Sequence, residues 1–219
     1  MQNITSLILV GSWIILILIS ALVSKKIFPK TKEISRKIIH IGVGPVVPLA
    51  WLLNIPSHLA ITFGSIISVL LLANYRFKYI QNFEDIERKS YGTVLYGISI
   101  TLLLILFWED HPDAVCAGVL AMAFGDGLAG LIGKQIKSPS WTIFNQKKSI
   151  LGTFIMGFIT LIVLSITNFY GGSSLDGLQI IVIGSITVAL EQISPLGIDN
   201  LTVPLAVGIG WRLLPLLSS

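Results

Sequence analysis

The chain has 219 residues, of which 53% are hydrophobic and only 12% are charged. A soluble domain carries about 25% charged residues, so this composition excludes an ordinary soluble enzyme and indicates an integral membrane protein. The formal net charge of +4 does not indicate a nucleic-acid partner, because the basic residues flank apolar segments. The single cysteine, Cys116, excludes an intramolecular disulfide and a thiolate metal cluster.

Eight apolar runs predict a bundle of seven or eight transmembrane helices. About 20 apolar residues cross a bilayer as a helix, and the runs cover residues 4–24, 38–54, 58–75, 92–108, 113–133, 150–169, 178–191 and 201–217. The run at 178–191 is the shortest, and it either extends back toward Gly171 or is a broken helix. We therefore predict an all-α, polytopic membrane bundle that forms a single domain over residues 1–219.

Basic residues are concentrated in three stretches between these runs. Fourteen of the 15 Lys and Arg residues lie at positions 25–37, 76–89 and 134–148. Eight consecutive crossings place all three stretches on one side of the membrane, which the positive-inside rule makes the cytoplasmic or stromal side. The sequence therefore predicts a basic working face, in a plasma membrane or in a thylakoid or chloroplast-type membrane.

The first polar motif, Arg36-Lys-Ile-Ile-His40, opens the second run. Arg36 and His40 are four positions apart and share a helix face, so both can aim at one anionic group. A structural histidine is the alternative interpretation. The loop from Glu84 to Gly92 is polar and mixed in charge, and we interpret it as a solvated connection, with a gating or nucleotide-binding role as the alternative.

The fifth run contains an ionisable residue, Asp126, several residues inside its basic-side end and between Gly125 and Gly127. A charged side chain at this depth costs about 2.5–3.5 kcal/mol on insertion scales, so such residues usually mark functional sites. Asp126, Gly130 and Lys134 form one stripe that puts a carboxylate and an ammonium on the same side. The alternative is a packing helix in which neighbouring groups hold the aspartate by hydrogen bonds.

The sixth run begins within the motif Asn145-Gln-Lys-Lys-Ser-Ile-Leu-Gly-Thr153. Ser149 is placed to cap this helix, whose free N–H groups and positive dipole end attract anions. Lys147 and Lys148 add positive charge and Thr153 adds a hydroxyl donor, so phosphate is the predicted occupant. A plain basic flank with an N-cap serine would have the same sequence.

The segment from Glu191 to Pro204 bridges the last two runs and contains no Lys or Arg. Glu191 and Asp199 bring two carboxylates, and Asn200 an amide, to the basic side. A membrane flank there would be basic, so the acidic character calls for a cation, and hard oxygen ligands of this kind suit Mg²⁺. The alternative makes Asp199 or Asn200 a helix cap and Glu191 an ordinary charge at a helix end.

Together these motifs place cations for phosphates, carboxylates for a divalent ion and glycines for close approach on one membrane face. Phosphoryl transfer needs these groups, because it depends on cations around the phosphates and on a group that positions the attacking hydroxyl. Since the motifs lie at the ends of membrane helices, the acceptor hydroxyl would arrive from the bilayer. The residues alone predict a membrane enzyme that acts on a nucleotide and a lipid.

In this order, the motifs resemble the polyprenol kinase family, which includes dolichol kinases, phytol kinases and CTP-dependent diacylglycerol kinases. The resemblance covers residues 36–204, and its motifs are Arg36-Lys-x-x-His40, Phe124-Gly-Asp-Gly-x-Ala-Gly-x-x-Gly-Lys134, Lys147-Lys-Ser-x-x-Gly-Thr153 and Glu191-x-x-Ser-Pro-x-Gly-x-Asp-Asn-x-x-x-Pro204. The small size of the chain and Ser90-Tyr-Gly look closest to the phytol kinase branch.

The resemblance implies transfer of the γ-phosphate of CTP to an isoprenoid alcohol, first of all phytol, giving phytyl phosphate and CDP. It implies Mg²⁺ or another divalent cation held by Asp126, Glu191 and Asp199. The implied catalytic residues are Asp126, Asp199, His40 and Arg36. The implied nucleotide- and phosphate-binding residues are Gly125, Gly127, Gly130, Lys134, Lys147, Lys148, Ser149, Gly152, Thr153 and Asn200.

Other functions would use similar residues. A CTP-dependent diacylglycerol kinase differs only in its acceptor, and a phosphatidate cytidylyltransferase also uses CTP and a lipid. The Lys-Asp and Pro-Gly-His-Gly-Gly run typical of that cytidylyltransferase is missing from this chain. A small lipid or ion transporter also places carboxylates in a membrane, but here the polar residues gather at one face.

Overall fold

The structure, a computed structural model, describes residues 2–28, 32–78, 90–144 and 146–217. Residues 84–89 of the loop predicted from Glu84 to Gly92, as well as Asn145, lie outside the described residues. The helices are α1 (Gln2–Ile27), α2 (Lys32–Val43), α3 (Val46–Leu52), α4 (Ser57–Phe77), α5 (Gly92–Phe107), α6 (Pro112–Leu120), a π-helical turn (Ala121–Asp126), α7 (Gly127–Gln135), α8 (Ile150–Gly171), α9 (Gly177–Ile193) and α10 (Asp199–Leu217), and the strands are β1 (Ser140–Ile143) and β2 (Gln146–Ser149).

The chain is a polytopic helical membrane protein, as the sequence predicts. Each of the eight apolar runs is helical in the structure. Within the described ranges, five helices are long and apolar enough to cross a bilayer: Ile4–Ile27, Ser57–Phe77, Pro112–Gln135, Ile150–Gly171 and Asp199–Leu217. The helices Gly92–Phe107 and Gly177–Ile193 are apolar but shorter.

The second predicted span, 38–54, is not one helix. It divides at Gly44 and Pro45 into α2 and α3, because proline has no N–H to donate and disfavours the helical conformation of the residue before it. The break also brings the backbone close to the core. A Cβ on Gly44 would lie 2.5 Å from the Cβ of Ala123, so only glycine fits at this contact.

Both alternatives for the run at 178–191 are wrong. The helix α9 is continuous, and it begins at Gly177 rather than near Gly171. Its start is set by a capping box, in which the Asp176 side chain accepts from Gln179 N at 2.8 Å and Gln179 Oε1 accepts from Asp176 N at 3.0 Å. This pair satisfies two backbone N–H groups at the start of the helix.

The segments α6, the π-helical turn and α7 follow one another without a gap, and we call them the central rod. The rod packs against α2, α3, α5, α8 and α10. Its α6 portion is buried, including Cys116 at 1% exposure, so this cysteine packs in the core. The π-helical turn ends at Asp126, and single π-turns within α-helices often occur at functional sites.

An antiparallel hairpin, which the sequence analysis does not predict, joins α7 to α8. Strands β1 and β2 pair with Trp141 opposite Lys148 and Thr142 opposite Lys147. Successive side chains of a strand point to opposite faces. Lys147 is therefore exposed, whereas Lys148 is partly buried and faces the helices.

Described residues near the basic stretches meet at one end of the bundle, which we call the site end. Lys134, in the last turn of the central rod, contacts Glu33 at the start of α2. Tyr91, before α5, donates its N–H to Leu196 O between α9 and α10 at 3.0 Å. At the opposite end, Asp113 contacts Ser173. Of the basic stretches, the described parts of the first and third thus lie together at the site end of the bundle.

Candidate active site

Three carboxylates meet at the site end. Asp126, at the end of the π-helical turn, Glu191, in the last turn of α9, and Asp199, the first residue of α10, each offer an oxygen within 4.8 Å of the other two. We call these residues the carboxylate cluster. The sequence proposes the same three residues as metal ligands, and the structure brings them together from three separate elements.

Two side chains of α2 hold Asp126. Lys37 Nζ lies 2.6 Å from Asp126 Oδ2 and donates to Asp126 O at 3.1 Å. The side chain of Lys37 is only 8% exposed, so this ion pair is shielded from water. His40 Nε2 lies 3.3 Å from the same Oδ2. Asp126 is therefore fixed by one cation and one imidazole.

Lys37 is the residue of this group that the sequence analysis missed. Arg36 and His40 are predicted to share a target, but Arg36 contacts Glu33 at 3.6 Å while His40 contacts Asp126. The face of α2 that meets the central rod carries positions 37 and 40, three apart, rather than 36 and 40. Spacings of three and four both fit one helix face, so the pattern alone did not identify the right pair.

The His40 ring, 12% exposed, lies between the central rod and α5. Its Nε2 lies 3.2 Å from Met122 O as well as close to Asp126. Both neighbours are acceptors, so Nε2 carries a hydrogen and donates. The ring also packs on Tyr96, with 4.5 Å between ring centroids. These contacts orient the imidazole toward the carboxylate cluster.

Glu191 is held from the hairpin and from its own helix. Lys148 on β2 pairs with Glu191 Oε1 and donates to Glu191 O at 2.8 Å. Gln192, which the sequence analysis did not single out, donates from Nε2 to Glu191 Oε2 at 2.8 Å. Both oxygens of this buried carboxylate therefore face donors.

The start of α8 has the predicted N-cap. Ser149 Oγ accepts from Gly152 N at 3.1 Å, which confirms the capping prediction. The neighbouring N–H groups also have partners, because Ile150 N donates to Pro139 O at 3.0 Å and Leu151 N to Ser138 Oγ at 3.4 Å. Phosphate binding here stays a prediction, and it would depend on lysine side chains rather than on these three amides.

The other two predicted phosphate lysines lie away from the cluster. Lys134 pairs with Glu33, and its side chain is 49% exposed. Burial raises the pKa of Glu33, but the hydrogen bond and charge of Lys134, with the charges of Arg36 and Lys37, lower it further, so the net pKa falls below its usual range. Lys147 is exposed on the outer face of the hairpin. Only Lys148, of the three, touches a cluster residue.

The α9–α10 loop places Asp199 and Asn200. Gly197 has a left-handed φ of +85°, and a Cβ there would lie 2.7 Å from Gly92 Cα, so the turn requires glycine. Asn200 Nδ2 donates to Asp199 Oδ1 and to Gly197 O, each at 3.3 Å. Pro204 has no N–H, which leaves the Asn200 carbonyl without its helical donor.

The predicted nucleotide-binding glycines allow close contacts within the chain. A Cβ on Gly130 would lie 2.8 Å from Lys37 Cε, and one on Gly125 would lie 2.8 Å from Met156 Sδ. The Cβ space of Gly127 is filled by Ile41. A Cβ on Gly152 would meet Ser149 Oγ at 3.1 Å. These contacts support the packing interpretation, and a nucleotide role for these glycines stays a prediction.

The charges of the site do not balance. The carboxylate cluster would carry three negative charges with all its acids ionised, while Lys37 and Lys148 supply two positive ones. Among the described residues, Asp199 forms no ion pair. Burial of a charge is costly unless the charge is paired or coordinates a metal, and oxygen donors of this type suit a divalent cation. The donor set therefore fits the predicted ion.

Comparison with known proteins identifies several kinases. The chain is 37% identical to the phytol kinase of Synechocystis over 188 residues, which are 82% of this chain and 78% of the relative. It is 26% identical to a probable chloroplastic phytol kinase of Glycine max, over 80% of this chain and 60% of that protein. It is 27% identical to a chloroplastic farnesol kinase of Arabidopsis thaliana, over 84% and 66%.

No family model matches the chain, and no solved structure matches it.

Proposed function

This chain belongs to the phytol kinase branch of the polyprenol kinases, and we propose that it transfers the γ-phosphate of CTP to phytol. The products are phytyl phosphate and CDP. The observation that carries the proposal is the carboxylate cluster, in which Asp126, Glu191 and Asp199 lie within 4.8 Å of one another beside two lysines. Phosphoryl transfer needs such a concentration of charges, because its catalysis is mainly positioning and electrostatic stabilisation.

The residues of the cluster would hold Mg²⁺ or another divalent cation. Bound there, the ion neutralises negative charge on the phosphates of the nucleotide. The support is the donor set and the excess negative charge. Lys37 and His40 fix Asp126, and Lys148 with Gln192 fixes Glu191, so these two carboxylates stay in place whether or not an ion is bound.

Asp199 is the carboxylate best placed to accept the proton of the alcohol. Asp126 and Glu191 are each paired with a lysine, whereas Asp199 has only a hydrogen bond from Asn200 at 3.3 Å. In the proposed step the alcohol oxygen forms a bond to the γ-phosphorus while the bond from that phosphorus to the bridging oxygen of CDP breaks. The alcohol proton passes to Asp199.

The two substrates approach from different phases. Lys147 and Lys134 are exposed at the site end, where they can attract a nucleotide from water. The alcohol arrives from the bilayer, whose hydrocarbon contacts the exposed apolar faces of the helices, such as Phe154 and Phe158 on α8. Since basic loops face the cytoplasm or stroma, we place the site on that side.

The test is transfer of labelled γ-phosphate from CTP, with ATP and UTP in parallel, by the purified protein in lipid nanodiscs. Phytol, farnesol, dolichol and diacylglycerol serve as acceptors. We expect phytyl phosphate from CTP, lost in Asp126→Asn and retained in the matched control Asp113→Asn at the opposite end. Product with another acceptor or nucleotide would contradict the proposed substrate and keep the kinase, and product from Asp126→Asn would remove that residue from the site.

A further inference from the structure

Gln192 contains a buried oxygen that has no hydrogen-bond partner. Among the described residues, only Gln192 Oε1 and Thr160 Oγ1 are buried side-chain polar atoms without a partner. Such atoms are rare in proteins, and each requires an explanation such as an ion or a bound water. Gln192 follows Glu191 in α9, so its unpaired oxygen belongs to the surroundings of the carboxylate cluster.

Two contacts determine which end of the Gln192 amide is nitrogen. Nε2 lies 2.8 Å from Thr153 Oγ1 and 2.8 Å from Glu191 Oε2. The carboxylate only accepts hydrogen bonds, and Thr153 Oγ1 donates its own hydrogen to Ser149 O at 3.0 Å. Both neighbours therefore need a donor, which only the NH₂ group provides. The unpaired atom is the carbonyl oxygen, and a flipped amide would place it against two acceptors.

The partner of this oxygen has to bind inside the site. Oε1 is shielded from bulk water, and the described protein groups around it leave it unpaired. Mg²⁺ bound to carboxylates keeps several of its waters, and each of those waters is a strong hydrogen-bond donor. A cation at the carboxylate cluster would therefore bring the donor that the Gln192 oxygen lacks.

We propose that Gln192 is a positioning residue of the cation site. Its NH₂ group holds the Glu191 carboxylate, and its carbonyl oxygen accepts a hydrogen bond from a water on the bound cation. The same NH₂ group ties the site to Thr153 in the first turn of α8. The inference rests on the proposed function, which puts a cation at the carboxylate cluster.

The test is Mn²⁺ binding, followed by electron paramagnetic resonance, on nucleotide-free protein in detergent. Gln192→Met keeps the size of the side chain and removes both its donors and its acceptor. Loss of an outer partner of a metal ligand weakens metal binding by about 10–100-fold, and we expect a rise of that size in the Mn²⁺ dissociation constant. The wild-type chain and Asp199→Asn show whether the cluster binds the ion at all.

Gln179→Met is the matched control. It changes the same residue type at the other end of α9, where Gln179 completes the capping box and donates to Leu214 O at 3.3 Å. We expect it to lower the unfolding temperature and to leave the Mn²⁺ dissociation constant unchanged. Thr153→Val removes one contact of the Gln192 NH₂ group and keeps the carbonyl oxygen, so it should raise the constant by less than Gln192→Met.

The outcomes separate the two proposals. If the wild type binds Mn²⁺ and Gln192→Met binds it within twofold as tightly, the inference about Gln192 is wrong while the cation site stands. If Gln192→Met does not fold, an unchanged constant in Thr153→Val overturns the inference. If the wild type does not bind Mn²⁺, both the cation site and the role of Gln192 are wrong.

Discussion

The central rod carries two aspartates, 13 positions apart in the chain, and their side chains have different kinds of partner. At the opposite end, Asp113 accepts hydrogen bonds from two neutral groups, Trp211 Nε1 at 2.7 Å and Ser173 Oγ. At the site end, Asp126 contacts Lys37 and His40. The first aspartate has neutral donors alone, and the second lies beside a cation and other carboxylates.

The difference separates a carboxylate that ties elements together from one that the proposed function assigns to the active site. The neutral donors of Asp113 tie the rod to α10 and to the loop before α9. Asp126 also has side-chain partners, but Glu191 and Asp199 lie within 4.8 Å of it. A buried acid is therefore not in itself evidence of a site. The informative feature is a group of acids that outnumbers its counter-ions.

The substitution Asp199→Asn tests this distinction most strongly. The amide cannot take the alcohol proton and is a poorer cation ligand, so we expect phosphoryl transfer to fall by about 10²–10⁴-fold. Initial rates with CTP and phytol, normalised to folded protein, measure the effect. Asp113→Asn is the control at the other end, and it should stay within a few-fold of the wild-type rate. Equal losses in the two variants would contradict the comparison.

Substitution of Lys37 separates the ion pair from its exposed neighbour. Lys37→Met leaves Asp126 buried without its cation, and breaking a buried pair in this way costs about 3–5 kcal/mol. Arg36→Met removes a partly exposed pair with Glu33 at 3.6 Å, which is worth at most about 1 kcal/mol. Unfolding of the two variants in one detergent measures both costs. Similar losses would show that Asp126 does not depend on Lys37.

At the opposite end, Asp113→Ala removes the acceptor of the Trp211 indole. The Trp211 side chain is buried, at 1% exposure, so its N–H would keep only the Ser173 contact at 3.1 Å. A lost buried hydrogen bond of this type costs about 1–3 kcal/mol. We expect a lower unfolding temperature with the catalytic rate of the folded fraction unchanged. A loss of rate without a loss of stability would extend the site along the rod.

Much of this arrangement follows from local patterns. The apolar runs predict every long helix, the residue type and position of Ser149 predict the N-cap, and the acidic character of Glu191 and Asp199 indicates a cation site. The family resemblance adds Asp126 to that site. These features depend on hydropathy and on residue type, which do not require knowledge of neighbours. The two ends of the rod also differ in the sequence, since only one has basic flanks.

The features that were missed depend on which faces meet. The sequence analysis counts Lys37 only among the basic residues of the first stretch. The spacing of three between Lys37 and His40 and the spacing of four between Arg36 and His40 both fit one helix face, so the pattern does not favour Lys37. Gln192 has no charge, and its role depends on the approach of α8 to α9. The break at Pro45 contradicts the single span predicted at 38–54, although a proline inside an apolar run already indicates that a helix can break there. The two strands of the hairpin have four residues each and lack a clear alternation of apolar and polar side chains. Their sequence therefore does not predict them.

The smallest effect concerns Lys134, which lies at the site end but pairs outside the cluster. Its contact with Glu33 is partly exposed, so Lys134→Met should cost less than about 1 kcal/mol. The folded-state pKa of Glu33 is lowered, so the contribution of the pair is complete above the ordinary pKa of a glutamate. It disappears as the pH falls through the lowered value, where the carboxylate gains its proton. Unfolding of the variant and the wild type should therefore converge in acid.

The phosphoryl-transfer rate of Lys134→Met shows whether Lys134 belongs to the active site. If its only partner is Glu33, kcat and the KM for CTP stay within a few-fold of the wild type, and the site ends at the carboxylate cluster and its two lysines. A selective rise in KM for CTP, with folded protein equal in the two samples, would show that Lys134 contacts phosphate. That result would extend the functional end of the rod by two helical turns beyond Asp126.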